Sequence, residues 1–125
     1  MTENEISKII LDKSIQIQKN LGRGLLESAY EQCLAYELEQ AGLRVLRQQP
    51  IPLNYKELKI EDAYRTDIVV EDSVIIELKA VKQLEETHYA QLTTYLKLSG
   101  KRLGLLINFN APTIKEGFVR IVNGL

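Results

Sequence analysis

The chain has one cysteine, Cys33, among 125 residues. A lone cysteine cannot close an internal disulfide, and Cys33 falls on the apolar side of a predicted helix, where a thiol serves as a small buried hydrophobe rather than a nucleophile. Proline is scarce too, with three residues, and the 45% apolar and 26% charged composition is that of a soluble globular chain without disordered segments. Low-complexity tracts and internal repeats are absent. No stretch approaches the roughly 20 apolar residues that span a bilayer. The start, "MTENEISKII", lacks the basic region and apolar run of a secretory signal, so a cytoplasmic setting with no membrane contact is the expectation. Excess charge of one sign is missing as well: a net charge of −1 argues against coating nucleic acid by bulk attraction, leaving only a local basic patch open. Aromatic residues interleaved with basic ones, the pattern that stacks single-stranded bases, do not stand out either.

What is present is enough for one domain, residues 1–125, with one core and one site. Thr2 followed by Glu5 is a capping-box pattern, and Ile6, Ile9, Ile10, Ile17 and Leu21 recur at helical spacing, predicting a helix to about Asn20 with Gly22 as a left-handed stop. A second apolar stripe, Leu26, Tyr30, Cys33, Leu34, Leu38 and Ala41, predicts a helix over 25–41. The period then changes. "LRVLRQQPIPLNY" reads as an edge or bulged strand because of Pro50 and Pro52, "LKIED" as a short strand, and Tyr64 to Val70 and Val74 to Lys79 as a hairpin. A helix over 86–99 stopped by Gly100, the buried strand "LGLLINF" and a last strand "GFVRIVN" complete the chain. The order α-α-β-β-β-α-β-β predicts an α/β fold, a mixed β-sheet flanked by α-helices.

The hairpin carries the chemistry. Asp67 stands in "YRTDIVV" and Glu77 in "IIELKAV", each a carboxylate in an apolar strand. Such groups are costly to bury without a partner. A two-residue turn at Glu71 and Asp72 would send the two acids to opposite sides of the sheet, whereas a three-residue loop, 71–73, sets Asp67 opposite Glu77; the second register is predicted. Opposed β-carbons lie about 5 Å apart and like charges there repel, a repulsion that a divalent cation relieves. Lys79, two residues beyond Glu77, shares its face. Two carboxylates holding a hard cation beside an ammonium group suit hydrolysis of a phosphodiester. The competing reading is an Asp67–Lys79 salt bridge with Glu77 facing solvent.

In these residues the chain resembles the PD-(D/E)XK nuclease superfamily, and "GLLESAY", Gly24 to Tyr30, matches the signature of its GxxExxY family. With "HYAQLTTYLKLSG" and "LGLLINF", the likeness covers nearly the whole chain. It implies a restriction-endonuclease-like fold and a metal-dependent nuclease acting on nucleic acid, with DNA the expected substrate and Mg²⁺ or Mn²⁺ the expected cofactor. It implies further that Asp67, Glu77, the main-chain carbonyl of Leu78 and Glu27 bind metal, and that Lys79 is the catalytic lysine. Gln91 and Tyr95 match the Q-x-x-x-Y helix motif of RecB-like nucleases, beside the site and the nucleic acid. Thr66 stands where the superfamily's name has proline, a position that does no chemistry.

Other readings remain open. Glu27 in a first helical turn is favoured by roughly 0.3–1 kcal/mol through the helix dipole alone. Gln91 and Tyr95, four apart, also suit a polar residue beside a packed aromatic. His88 near a helix start reads as a capping or surface residue before a catalytic one. Among basic residues, Arg65 is the best candidate for a phosphate contact because it shares the face of Asp67. A second function class is a nuclease-fold binding or assembly module with weak or no catalysis, acting through a partner or as a homodimer.

Overall fold

Thr2 opens the first helix with both halves of a capping box: its hydroxyl accepts from the Glu5 N–H at 3.2 Å, and Glu5 Oε1 accepts from the Thr2 N–H at 2.8 Å. The computed structural model describes all 125 residues, Met1–Leu125. Helix α1 spans Glu3–Leu21 and ends at Gly22, whose φ of 74° is positive as a glycine stop requires, although its ψ of −164° lies outside the left-handed helical region. Helix α2, Glu27–Gln40, starts two residues later than its apolar stripe suggests. The Leu25 N–H donates to the Tyr30 hydroxyl at 3.2 Å, which keeps the chain extended there.

Strands β1, Val45–Tyr55, and β2, Leu58–Val70, form a long antiparallel ribbon. "LKIED" is therefore not a separate short strand but continuous with the segment that carries Asp67. The reason is a bulge: pairing runs from Val45 opposite Val70 to Ile51 opposite Tyr64, then resumes at Leu53 opposite Ile60. Three residues, Glu61 to Ala63, thus face Pro52, which has no N–H to give to the ladder. Strand β3, Val74–Lys79, pairs antiparallel with β2, and helix α3, Glu86–Ser99, crosses over to β4, Leu103–Asn108, which lies parallel to β3. A 3₁₀ turn, Lys115–Gly117, leads into β5, Phe118–Val122, antiparallel to β4. Spatial order follows chain order, β1-β2-β3-β4-β5.

Alternation along β2 and β3 divides the core in two. Ile68, Val70, Ile76 and Leu78 pack with Ile6 and Ile10 of α1 and Tyr30 and Leu34 of α2, whereas Val69 and Ile75 pack with Leu92, Tyr95 and Leu96 of α3. The sheet is the middle of three layers, which is the expected mixed sheet with helices on both faces. No helix is long and apolar enough to cross a membrane.

Candidate active site

The loop between β2 and β3 has three residues: Val70 pairs with Val74, Val69 with Ile75 and Ile68 with Ile76. One step farther, the ladder gives way to side chains. The Asp67 N–H donates to Glu77 Oε1 at 3.2 Å, and the Leu78 N–H donates to Asp67 Oδ2 at 2.9 Å. The two carboxylates sit where β2 parts from β3, each satisfying a main-chain donor that the ladder has released. Asp67 is half-buried and Glu77 only 6% exposed.

Their environment disfavours two negative charges. Burial first, and the charge of Asp67 second, push the Glu77 carboxyl up to about 9, against the pull of Lys79. Burial also raises Asp67, and the charge of Glu31 adds to it, while the Leu78 N–H and Lys79 act the other way. Tyr95 on α3 is pushed up to about 12 by its own burial and then by the charges of Glu77 and Asp67, which puts its phenol within their field. It packs edge-on against Tyr64, with ring centroids 5.0 Å apart.

Lys79 is half-exposed and takes part in none of the three ion pairs of the molecule. A simple Asp67–Lys79 salt bridge with a solvated Glu77 is thus not what forms. Glu27, at the start of α2, is exposed and its Oε2 accepts from the Ala80 N–H at 3.1 Å, which ties that helix end to the residue after Lys79. The spacing Gly24, Glu27, Tyr30 has a structural meaning as well. Tyr30 is fully buried, stacks on Phe109 at 4.6 Å and donates its hydroxyl to the Gly22 carbonyl at 2.7 Å, pinning the α1–α2 loop that presents Glu27.

The other candidates make no hydrogen bond to the pair. Gln91 is exposed on α3, one turn before Tyr95. Arg65 is exposed and its guanidinium engages Asp62 at 2.7 Å and the Gln48 carbonyl, rather than either carboxylate. His88 caps α3: its Nδ1 accepts from the Glu85 N–H at 3.0 Å. Cys33 is half-buried against the larger half of the core.

Two residues of this neighbourhood have no sequence signal of their own. Glu31, one turn after Glu27, is 6% exposed; it accepts from Arg47 Nε at 2.9 Å and from Gln48 Nε2 at 3.0 Å. Gln48 interrupts the β1–β2 ladder with a φ of 53°, a conformation that side-chain-bearing residues seldom adopt. By the register it stands opposite Asp67.

Hard oxygen donors suit a divalent cation, and the pair here fits one. No three Asp, Glu, His or Cys side chains converge into a ready nest, but an ion of the Mg²⁺ type retains several waters and needs only one or two carboxylates. Cation charge also offsets the burial cost and the repulsion from Asp67 that together hold the proton on Glu77. The family model of the PD-(D/E)XK nuclease superfamily matches residues 4–121. No curated protein and no solved structure matches the chain.

Proposed function

The chain belongs to the PD-(D/E)XK nuclease superfamily, whose members are generally divalent-metal-dependent, and from that premise we propose that it hydrolyses phosphodiester bonds, with DNA as substrate. The observation that carries the reading is the convergence of half-buried Asp67 and buried Glu77 at the parting of β2 and β3, with an unpaired Lys79 beside them. Asp67 and Glu77 would hold Mg²⁺ or Mn²⁺, with the Leu78 carbonyl and Glu27 as further oxygen donors. When bound, the cation supplies Lewis-acid charge at the phosphodiester. Lys79 meets the charge that develops on the phosphate and orients the attacking water. Glu77 and Asp67, fixed through main-chain N–H groups, keep their carboxylates in place. Gln91 and Tyr95 line the α3 side, where Gln91 can donate to the substrate and Tyr95 walls the carboxylates off from water; Arg65 lies on the exposed flank as a backbone contact.

Incubation of the protein with DNA and Mn²⁺ gives cleavage that chelator stops and that is lost in Asp67→Ala and Lys79→Ala. Equal activity in parent and variants would trace the cleavage to a contaminant and end the proposal.

One observation favours a second reading. Only two acids converge, and Glu27 is engaged by the Ala80 N–H, as suits a nuclease-fold module that binds nucleic acid, through a partner or as a homodimer, with little turnover. Calorimetry with Mg²⁺ and with duplex separates the two: metal and DNA affinity without cleavage selects the second.

A further inference from the structure

We propose that a cationic cleft at the end of α1, lined by Lys19, Arg23 and Lys115, holds phosphates of the nucleic-acid backbone flanking the one that is cleaved. The inference rests on the nuclease reading and extends it to residues outside the site.

The cleft has a volume of about 590 Å³, with Ile15, Pro112 and Ile114 among its walls, and no acidic residue lines it. That volume falls in the range of ligand-sized clefts, about 300–1,000 Å³. Its three cations come from three separate segments: the last turn of α1, the α1–α2 loop and the 3₁₀ turn before β5. Lys19 has a sufficient cause in the α1 dipole, which favours a cation in a last turn. Arg23 and Lys115 have no such cause, and neither belongs to any of the molecule's ion pairs. In a chain of net charge −1, three unneutralised cations around one acid-free cleft fit a polyanion.

Position and orientation agree. Arg23 Nε donates to the Asn110 carbonyl at 2.8 Å, which fixes the guanidinium plane and leaves its terminal N–H groups for the forked pairing that phosphate oxygens accept. Asn110 in turn donates through Nδ2 to the Val81 carbonyl at 3.2 Å, two residues past Lys79. On its other side Arg23 lies in the loop that leads to Glu27, whose carboxylate holds the Ala80 N–H. The cleft is thus tied, through Arg23, Asn110 and Val81, to the segment that follows β3.

The test is fluorescence anisotropy with a labelled DNA duplex in Mg²⁺, using full-length Lys79→Ala protein to silence cleavage, across a range of salt. Adding Arg23→Gln and Lys115→Gln should weaken binding by about tenfold or more and lower the slope of log affinity against log salt by about two, as loss of two phosphate contacts requires. A control replaces two exposed cations outside the cleft, Lys8→Gln and Lys59→Gln, removing the same charge; it should bind within about twofold of its parent. Undiminished binding by the cleft variant, or an equal loss in the control, would overturn the inference while leaving cleavage by the parent, and so the nuclease reading, standing. Unsubstituted protein that neither binds nor cleaves DNA overturns both.

Discussion

At the scale of single residues, the cost of Glu77 is the feature from which most else follows. Unfolded, its carboxyl ionises near the ordinary 4.5; folded without metal, it holds its proton up to about 9. The stability that protonation confers is fully present below 4.5 and is lost as pH rises through about 9, at up to about 1.4 kcal/mol per pH unit. Asp67, also raised, acts in the same sense. The metal-free protein should thus melt at progressively lower temperature from pH 5 to pH 8. Glu77→Gln, which keeps the shape and cannot ionise, should flatten that trend and melt above the parent at pH 8. Melts in chelator across this range decide it, and a parent curve indifferent to pH would contradict the burial argument. The two acids themselves were legible in the sequence because a charge inside an apolar strand stands out. Glu31 was not: its neighbours Tyr30, Gln32 and Cys33 give a helical carboxylate no distinction, and only the fold brings Arg47 and Gln48 to it from a distant strand.

At the scale of elements, periodicity told helices from strands, whereas the turn between β2 and β3 allowed two registers, of which the structure forms the predicted three-residue one. A three-residue loop between Val70 and Val74 fixes which faces meet, since a shift of one residue turns every side chain over. The length of β2 was illegible for a related reason. Pro52 lies on β1, whereas the extra residues it faces lie on β2, and no local pattern in "LKIEDAYR" announces a bulge created by its partner. Helix α3 depends on a comparable close approach. A Cβ at Gly104 on β4 would come within 2.9 Å of the fully buried Leu92 side chain. Gly104→Ala should therefore cost about 1–3 kcal/mol, the usual penalty of overpacking, measured by urea unfolding. Because α3 carries Gln91 and Tyr95, DNA cleavage should fall as well; a fully stable variant would mean that Leu92 can be accommodated elsewhere.

For the whole molecule, the candidate site lies where the layers meet: β2 and β3 supply the acids, α2 reaches the end of β3 through Glu27, and α3 closes the other face with Tyr95. A cation that joins the acids binds the folded chain only, because the unfolded chain does not hold Asp67 and Glu77 together, so its binding energy becomes folding stability. At a free concentration 100 times the dissociation constant the gain is about 2.7 kcal/mol, or roughly 10 °C in Tm for a domain of this size. The gain also has a pH dependence of known sign. The cation takes the carboxylates deprotonated, and Glu77 keeps its proton up to about 9 in its absence, so binding must displace that proton and the apparent affinity rises by up to tenfold per pH unit below that value. Mn²⁺ at a fixed concentration near the dissociation constant at pH 7 should accordingly raise Tm more at pH 8 than at pH 6. The increment should vanish in Asp67→Ala, where one ligand is gone. Scanning calorimetry of parent and variant at the two pH values reads this directly, and a Tm increment that is equal at both, or that survives loss of Asp67, would place the cation somewhere other than between these two strands.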